Sequence, residues 1–128
     1  MRLLLDTHIL LWGAVEPERL SDAAVALIED AGNDLVFSVV SIWETAIKTS
    51  RARADFRIDA GRVRQGLIDA GYAELPVTGA HVAAVAGLPP IHKDPFDRML
   101  VAQATVERLT VVTADPVVAK YPCSVRLV

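Results

Sequence analysis

The chain has 128 residues, 52% of them apolar, a formal net charge of −3 and a single cysteine. That length favours one domain, expected over residues 1–128, able to bury roughly two-thirds of its unfolded surface without disulfide or metal staples. Cys123 has no partner for an internal disulfide, no apolar run nears the ~20 residues of a membrane span, and the start lacks a signal-peptide pattern, so a cytoplasmic protein is expected.

Residues 2–6 read as a short buried strand ended by a polar pair. A helix over 8–15 is broken at Pro17, and Ser21 caps another that runs to about Ala31 before Gly32-Asn33. Residues 35–39 form the second strand, and Ser41 opens a helix to about Ser50. After a charged connector, Asp59 caps a helix to about Ala70, closed by Gly71. Residues 72–77 are a short strand, and 79–87 a small Ala/Val helix stopped by Gly87 and Pro89-Pro90. Asp94-Pro95 begins an apolar helix to about Glu107. Residues 109–113 are a strand, 115–119 a short helix and 124–127 a last strand. Strands alternating with helices imply right-handed βαβ units and a parallel sheet.

Four acids punctuate this order: Asp6, Glu44, Asp97 and Asp115, each where an apolar run hands over to a helix. Each has a structural explanation. Asp6 can cap the first helix, Ser41-x-x-Glu44 fits a capping box, Asp94-Pro95-x-Asp97 reads as cap, Pro and first-turn acid, and Asp115-Pro116 repeats the cap. An acid at a helix N-terminus gains about 0.3–1 kcal/mol from the dipole. The set is harder to explain as caps, because caps need no common place. In a parallel sheet all four hand-overs fall on the carboxyl edge, where such sheets hold their ligands. Two carboxylates ~4 Å apart repel by roughly 4 kcal/mol at an effective dielectric near 20, so a cluster calls for a cation. Mg²⁺ and Mn²⁺ prefer carboxylate oxygen and water. The spacing excludes an EF-hand, and the want of a Cys/His cluster argues against zinc. An ion held this way suits phosphodiester hydrolysis without a covalent nucleophile.

The pattern Leu-Leu-Asp-Thr-His at residues 4–8, Ser-Ile-Trp-Glu at 41–44, His-Lys-Asp-Pro-Phe-Asp-Arg-Met-Leu-Val-Ala-Gln-Ala at 92–104 and Val-Val-Thr-Ala-Asp at 111–115 resembles the PIN-domain ribonucleases. More narrowly it is similar to the VapC toxins of bacterial toxin–antitoxin pairs, over essentially the whole chain and in order. The resemblance implies an α/β three-layer fold with a central parallel sheet of four or five strands in order 3-2-1-4-5, flanked by helices. It implies Mg²⁺- or Mn²⁺-dependent cleavage of RNA, inhibition by a VapB-type antitoxin, and homodimerisation. By motif, Asp6, Glu44 and Asp97 correspond to the core acidic triad and Asp115 to a less uniform fourth acid, with Thr113 as an orienting hydroxyl. Asp94 falls before the triad position and reads as a helix cap.

Of the neighbours, Thr7 either bonds a carboxylate or caps the helix, and Arg98 either approaches the scissile phosphate or pairs with a nearby acid. Trp12 and Trp43 read as packing residues. His8, His81 and His92 are scattered without nucleophile–base spacing, and no catalytic role is expected of them. The stretch 48–64 sets six basic residues (Lys48, Arg51, Arg53, Arg57, Arg62, Arg64) against Asp55 and Asp59, a candidate contact for RNA or antitoxin. Two other classes compete. A phosphoacceptor receiver has this length and an acidic pocket, but it needs paired acids after the first strand and an acceptor Asp after the third; here stand Asp6-Thr7-His8 and Glu74-Leu75-Pro76. A catalytically silent binding module would use every acid as a cap.

Overall fold

A computed structural model of the chain describes residues 1–51 and 58–128. In chain order the elements are β1 (Arg2–Leu5), α1 (Thr7–Val15), a 3₁₀ turn (Pro17–Arg19), α2 (Asp22–Glu29), β2 (Asp34–Ser38), α3 (Val39–Arg51), α4 (Ala60–Asp69), β3 (Ala73–Leu75), α5 (Gly79–Val85), α6 (Pro95–Glu107), β4 (Thr110–Thr113), a second 3₁₀ turn (Val118–Lys120) and β5 (Val125–Leu127). The five strands form one sheet in the order β3-β2-β1-β4-β5, and every pairing is parallel. That is the predicted order. It differs from the 2-1-3-4-5 order of receiver domains, so the receiver reading fails on topology.

Period-two alternation along the strands divides the core between the two faces of the sheet. Leu4, Val36 and Val111 point to one face and pack with Val40 of α3 and Leu100, Val101 and Ala104 of α6. Leu3, Leu5, Phe37 and Val112 point to the other and pack with Ile9 and Leu10 of α1 and Leu67 of α4. Strands buried on both sides explain why their sequences are continuous apolar runs instead of alternating ones. Among the described residues no helix is long and apolar enough to cross a membrane.

Local signals set most boundaries. Side chains of Asp6, Ser21, Asp59 and Asp94 each accept from backbone N–H groups of the helix they precede. Gly71, at φ +91, turns the chain out of α4 into β3, a conformation that side-chain-bearing residues rarely adopt. Three expectations need correction. Helix α3 begins at Val39, directly after β2, so Ser41 lies inside it and no capping box forms with Glu44. Ser38 Oγ takes the Val40 N–H, and Ser41 O accepts instead from Thr45 Oγ1. Helix α2 stops at Glu29, because Asp30 turns the chain by accepting the Gly32 N–H. Asp115 heads no helix: its Oδ1 accepts from Val117 N at 2.8 Å in a tight turn, and only a 3₁₀ turn follows.

Candidate metal centre

Strand order reverses at β1, which has β2 and β3 on one side and β4 and β5 on the other. The carboxyl end of the β1/β4 pair is therefore the crevice where an open parallel sheet takes ligands. Asp6 follows β1 directly, and its N–H extends the ladder to Val112 O at 3.0 Å. Its Oδ1 caps α1 by accepting from Ile9 N at 3.0 Å, while Oδ2 accepts a short hydrogen bond from Thr113 Oγ1. The same Thr113 oxygen accepts from Asp115 N at 3.0 Å, so one buried hydroxyl ties the ends of β1 and β4 together. Asp6 is both a cap and a member of the cluster.

Glu44 comes from the second turn of α3 and is only 1% exposed. Its Oε2 pairs with Lys48 Nζ at 2.7 Å, one helical turn on. Its Oε1 is buried with no hydrogen-bond partner among the described residues. Asp97 does not follow a strand, as the sequence suggested, because α5 and a loop intervene after β3. It reaches the same edge because α6 leads into the start of β4 and so runs back against the strands. Asp94 Oδ1 accepts from Phe96 N at 2.8 Å and Asp97 N at 3.3 Å, the capping arrangement read from the sequence.

Electrostatics show that these acids share one field. Burial pushes the Asp97 carboxyl up to about 7, assisted by the charges of Asp94, Asp6 and Glu44 and opposed by His92. Burial also raises Asp6, against the hydrogen bonds from Thr113 and Ile9, and Glu44 adds to the rise. A protein that desolvates carboxylates side by side leaves a deficit of positive charge. The donors present fit a divalent cation: the oxygens are hard, Glu44 Oε1 has no competing donor among the described residues, and Asp6 and Asp97 resist ionising without a counter-charge. Asp115 is more open, its side chain 39% exposed.

His92 was not expected here. Its Nε2 lies 3.1 Å from Asp97 Oδ2 and 3.3 Å from Asp115 Oδ2. Its place at the head of the 92–104 motif was the sequence's mark of it, but the loop that carries it has no periodicity and gave no reason to expect these contacts. Lys48 could have been found, since Glu44 and Lys48 stand four apart on one helix. Thr7 does neither thing proposed for it: its Oγ1 donates to Ser41 Oγ at 2.9 Å. Among the described residues Arg98 pairs with no acid. Its guanidinium donates to Pro89 O at 3.0 Å, Val85 O at 3.2 Å and Tyr121 Oη at 3.2 Å, which ties α5 and the following loop to α6. His81 is wholly buried between Thr78 N and Glu107. Trp12 packs beneath Arg19. Trp43, 60% exposed, meets Phe96 edge-on at the rim of an apolar groove of about 820 Å³ between α3, α5 and α6. Of the basic stretch, Arg53, Arg57 and the side chain of Arg51 lie outside the described residues. Within it, Arg62 pairs with Asp59 and Arg64 with Glu74.

A parallel α/β sheet with buried acids at its switch point has a place for a divalent ion, the equipment a metal-dependent hydrolase of phosphodiesters needs. The sequence profile of the PIN domain matches residues 3–122, and the chain belongs to the PIN-domain family. It is 32% identical over 113 residues, 88% of this chain and 85% of the other, to Ribonuclease VapC22 of Mycobacterium tuberculosis. The fold resembles that of VapBC2 from Rickettsia felis bound to a DNA fragment from their promoter, with a TM-score of 0.72 at 13% identity, covering 100% of this chain and 99% of that one. It also resembles VapBC-5, a member of the VapBC family of toxin–antitoxin systems from Mycobacterium tuberculosis, with a TM-score of 0.65 at 21% identity, covering 99% and 97%. PIN-domain nucleases work with divalent metal ions, and ligand atoms of His92, Asp97 and Asp115 lie within 4.8 Å of one another, close enough to gather round one.

Proposed function

We propose that residues 1–128 form one PIN-type nuclease domain, a cytoplasmic endoribonuclease that hydrolyses RNA phosphodiester bonds and acts as a toxin held in check by a VapB-type antitoxin. Asp6, Glu44 and Asp97 hold Mg²⁺, for which Mn²⁺ substitutes, and Asp115 completes the oxygen set. The observation that carries this is Glu44 Oε1, a buried carboxylate oxygen without a partner among the described residues, whose charge acts on two acids that burial keeps from ionising. An unpaired buried carboxylate is costly, and a divalent cation relieves it. The bound ion supplies Lewis-acid stabilisation of phosphoryl charge and a more acidic water. The protein's own part is to orient: Thr113 and the α1 N-terminus fix Asp6, and the Asp94 cap fixes the first turn of α6 that carries Asp97. Membership of the family, the ribonuclease relative and the toxin–antitoxin complexes of like fold support RNA as substrate and a small protein as inhibitor. We propose a homodimer as the free form. Cys123, with no second cysteine to pair with, is compatible with a reducing compartment.

The test is cleavage of total cellular RNA by antitoxin-free protein in Mn²⁺, with chelator and with Asp6→Asn as controls. Discrete fragments that vanish in both controls are expected. Equal cleavage by folded Asp6→Asn protein would sink the metal-site assignment.

A further inference from the structure

His92 stands five residues ahead of Asp97 in the loop between α5 and α6, and both of its ring nitrogens are engaged. Nδ1 accepts the peptide N–H of Asp94 at 3.2 Å. Nε2 meets Asp97 Oδ2 at 3.1 Å and Asp115 Oδ2 at 3.3 Å. A peptide N–H can only donate, so Nδ1 presents its lone pair and carries no proton. In a neutral imidazole the one ring proton is then on Nε2, between two carboxylate oxygens. A nitrogen bearing that proton has no lone pair left for a cation. By distance alone, one atom each from His92, Asp97 and Asp115 within 4.8 Å describes a mixed nitrogen–oxygen metal site. The hydrogen bonding contradicts that description.

We infer that His92 is a positioning residue: its Nε2–H bridges Asp97 to Asp115 and leaves the cation an all-oxygen site. The inference rests on the metal-nuclease reading and adds how acids from two separate elements are kept in register. Asp97 rides on α6 and Asp115 on the turn after β4; among the described residues His92 alone bonds both side chains. Without the bridge, the side chain of the more exposed Asp115 keeps, among the described residues, only its own Oδ1 turn. The imidazole is itself anchored. His92 N donates to Tyr121 Oη at 2.8 Å, and the same oxygen takes Arg98 Nη1 at 3.2 Å. Arg98 thereby acts through the loop instead of on the phosphate. It clamps Val85 O and Pro89 O at one end and the Tyr121 hydroxyl under His92 at the other.

Two spectroscopic measurements test the tautomer and the ligand set without any change in the chain. In ¹⁵N-histidine spectra of the metal-free protein, His92 should show a protonated Nε2 and a bare Nδ1. In pulsed EPR of the Mn²⁺ complex, no histidine ¹⁴N coupling should appear. Mn²⁺ affinity, followed by loss of the free-ion EPR signal, should fall roughly 10–100-fold in His92→Ala, the usual effect of losing an outer-shell partner. His92→Gln, whose amide N–H can replace Nε2–H, should recover most of it. Melting curves check that both variants fold. A proton on Nδ1, a ¹⁴N coupling to Mn²⁺, or undiminished affinity in His92→Ala would overturn the bridge and leave the nuclease reading standing. Failure of the wild-type protein to bind Mn²⁺ would overturn that reading and the bridge with it.

Discussion

Replacing Asp97 by Asn should stabilise the metal-free fold at neutral pH while removing the capacity to bind metal. The folded carboxyl titrates at about 7 against an ordinary value of 3.8, chiefly because of burial and then because Asp94, Asp6 and Glu44 surround it. Below about pH 4 both the folded and the unfolded chain hold this proton, and Asp97 costs the fold nothing. As pH rises from there to 7, the unfolded chain releases the proton and the folded chain does not, so stability falls and levels off above 7. At about 1.4 kcal/mol per pH unit the full penalty is about 4 kcal/mol, with about 3 kcal/mol of it between pH 5 and pH 8. The side chain is only 14% exposed, so solvent screening removes little of this. A domain of this size has about 5–15 kcal/mol in all, which makes the effect easy to read. Asn keeps a side-chain oxygen to accept from His92. The assay is urea unfolding followed by circular dichroism at pH 5 and pH 8 in chelator. Wild type should lose stability over that range more steeply than Asp97→Asn, and the variant should be the more stable protein at pH 8. Mn²⁺ should restore wild type and not the variant. Parallel pH dependence in the two proteins, or a variant no more stable than wild type at pH 8, would refute the account of Asp97 as a desolvated acid awaiting a cation.

Other substitutions probe the rest of the site. Glu44→Gln should abolish Mn²⁺ binding by calorimetry and RNA cleavage together, with the fold retained in circular dichroism. Thr113→Val removes the hydroxyl between Asp6 and Asp115 N and should cost about 1–3 kcal/mol in denaturant melts, chiefly because the buried Asp6 Oδ2 loses its donor. Arg98→Lys cannot reach three acceptors at once and should lose about 1.5–3 kcal/mol in the same melts. Lys48→Met leaves Glu44 without its protein cation and should sharpen the dependence of stability on added Mn²⁺, read as a larger rise in Tm.

Strands and most helix caps were legible in the chain because each depends on neighbours in sequence. Short unbroken apolar runs marked β1, β2 and β4, and Asp6, Ser21, Asp59 and Asp94 announced their helices within four residues. The local rule failed at Ser41-x-x-Glu44. There β2 runs straight into α3, so the boundary was set by where the sheet ends and by Ser38 bonding Val40 N. What the tertiary structure alone decided was which side chains meet. Thr113 lies 107 residues from the Asp6 it holds, and His92 bridges acids 5 and 23 residues away. Arg98 donates to a hydroxyl 23 residues on, where the sequence had offered it a phosphate or, sooner, a nearby acid. Such pairings follow from the β1–β4 register and from the path through α5 and α6. A hydrogen bond is made only within about 3 Å, and local propensity carries no information about which distant segment the fold will bring that near.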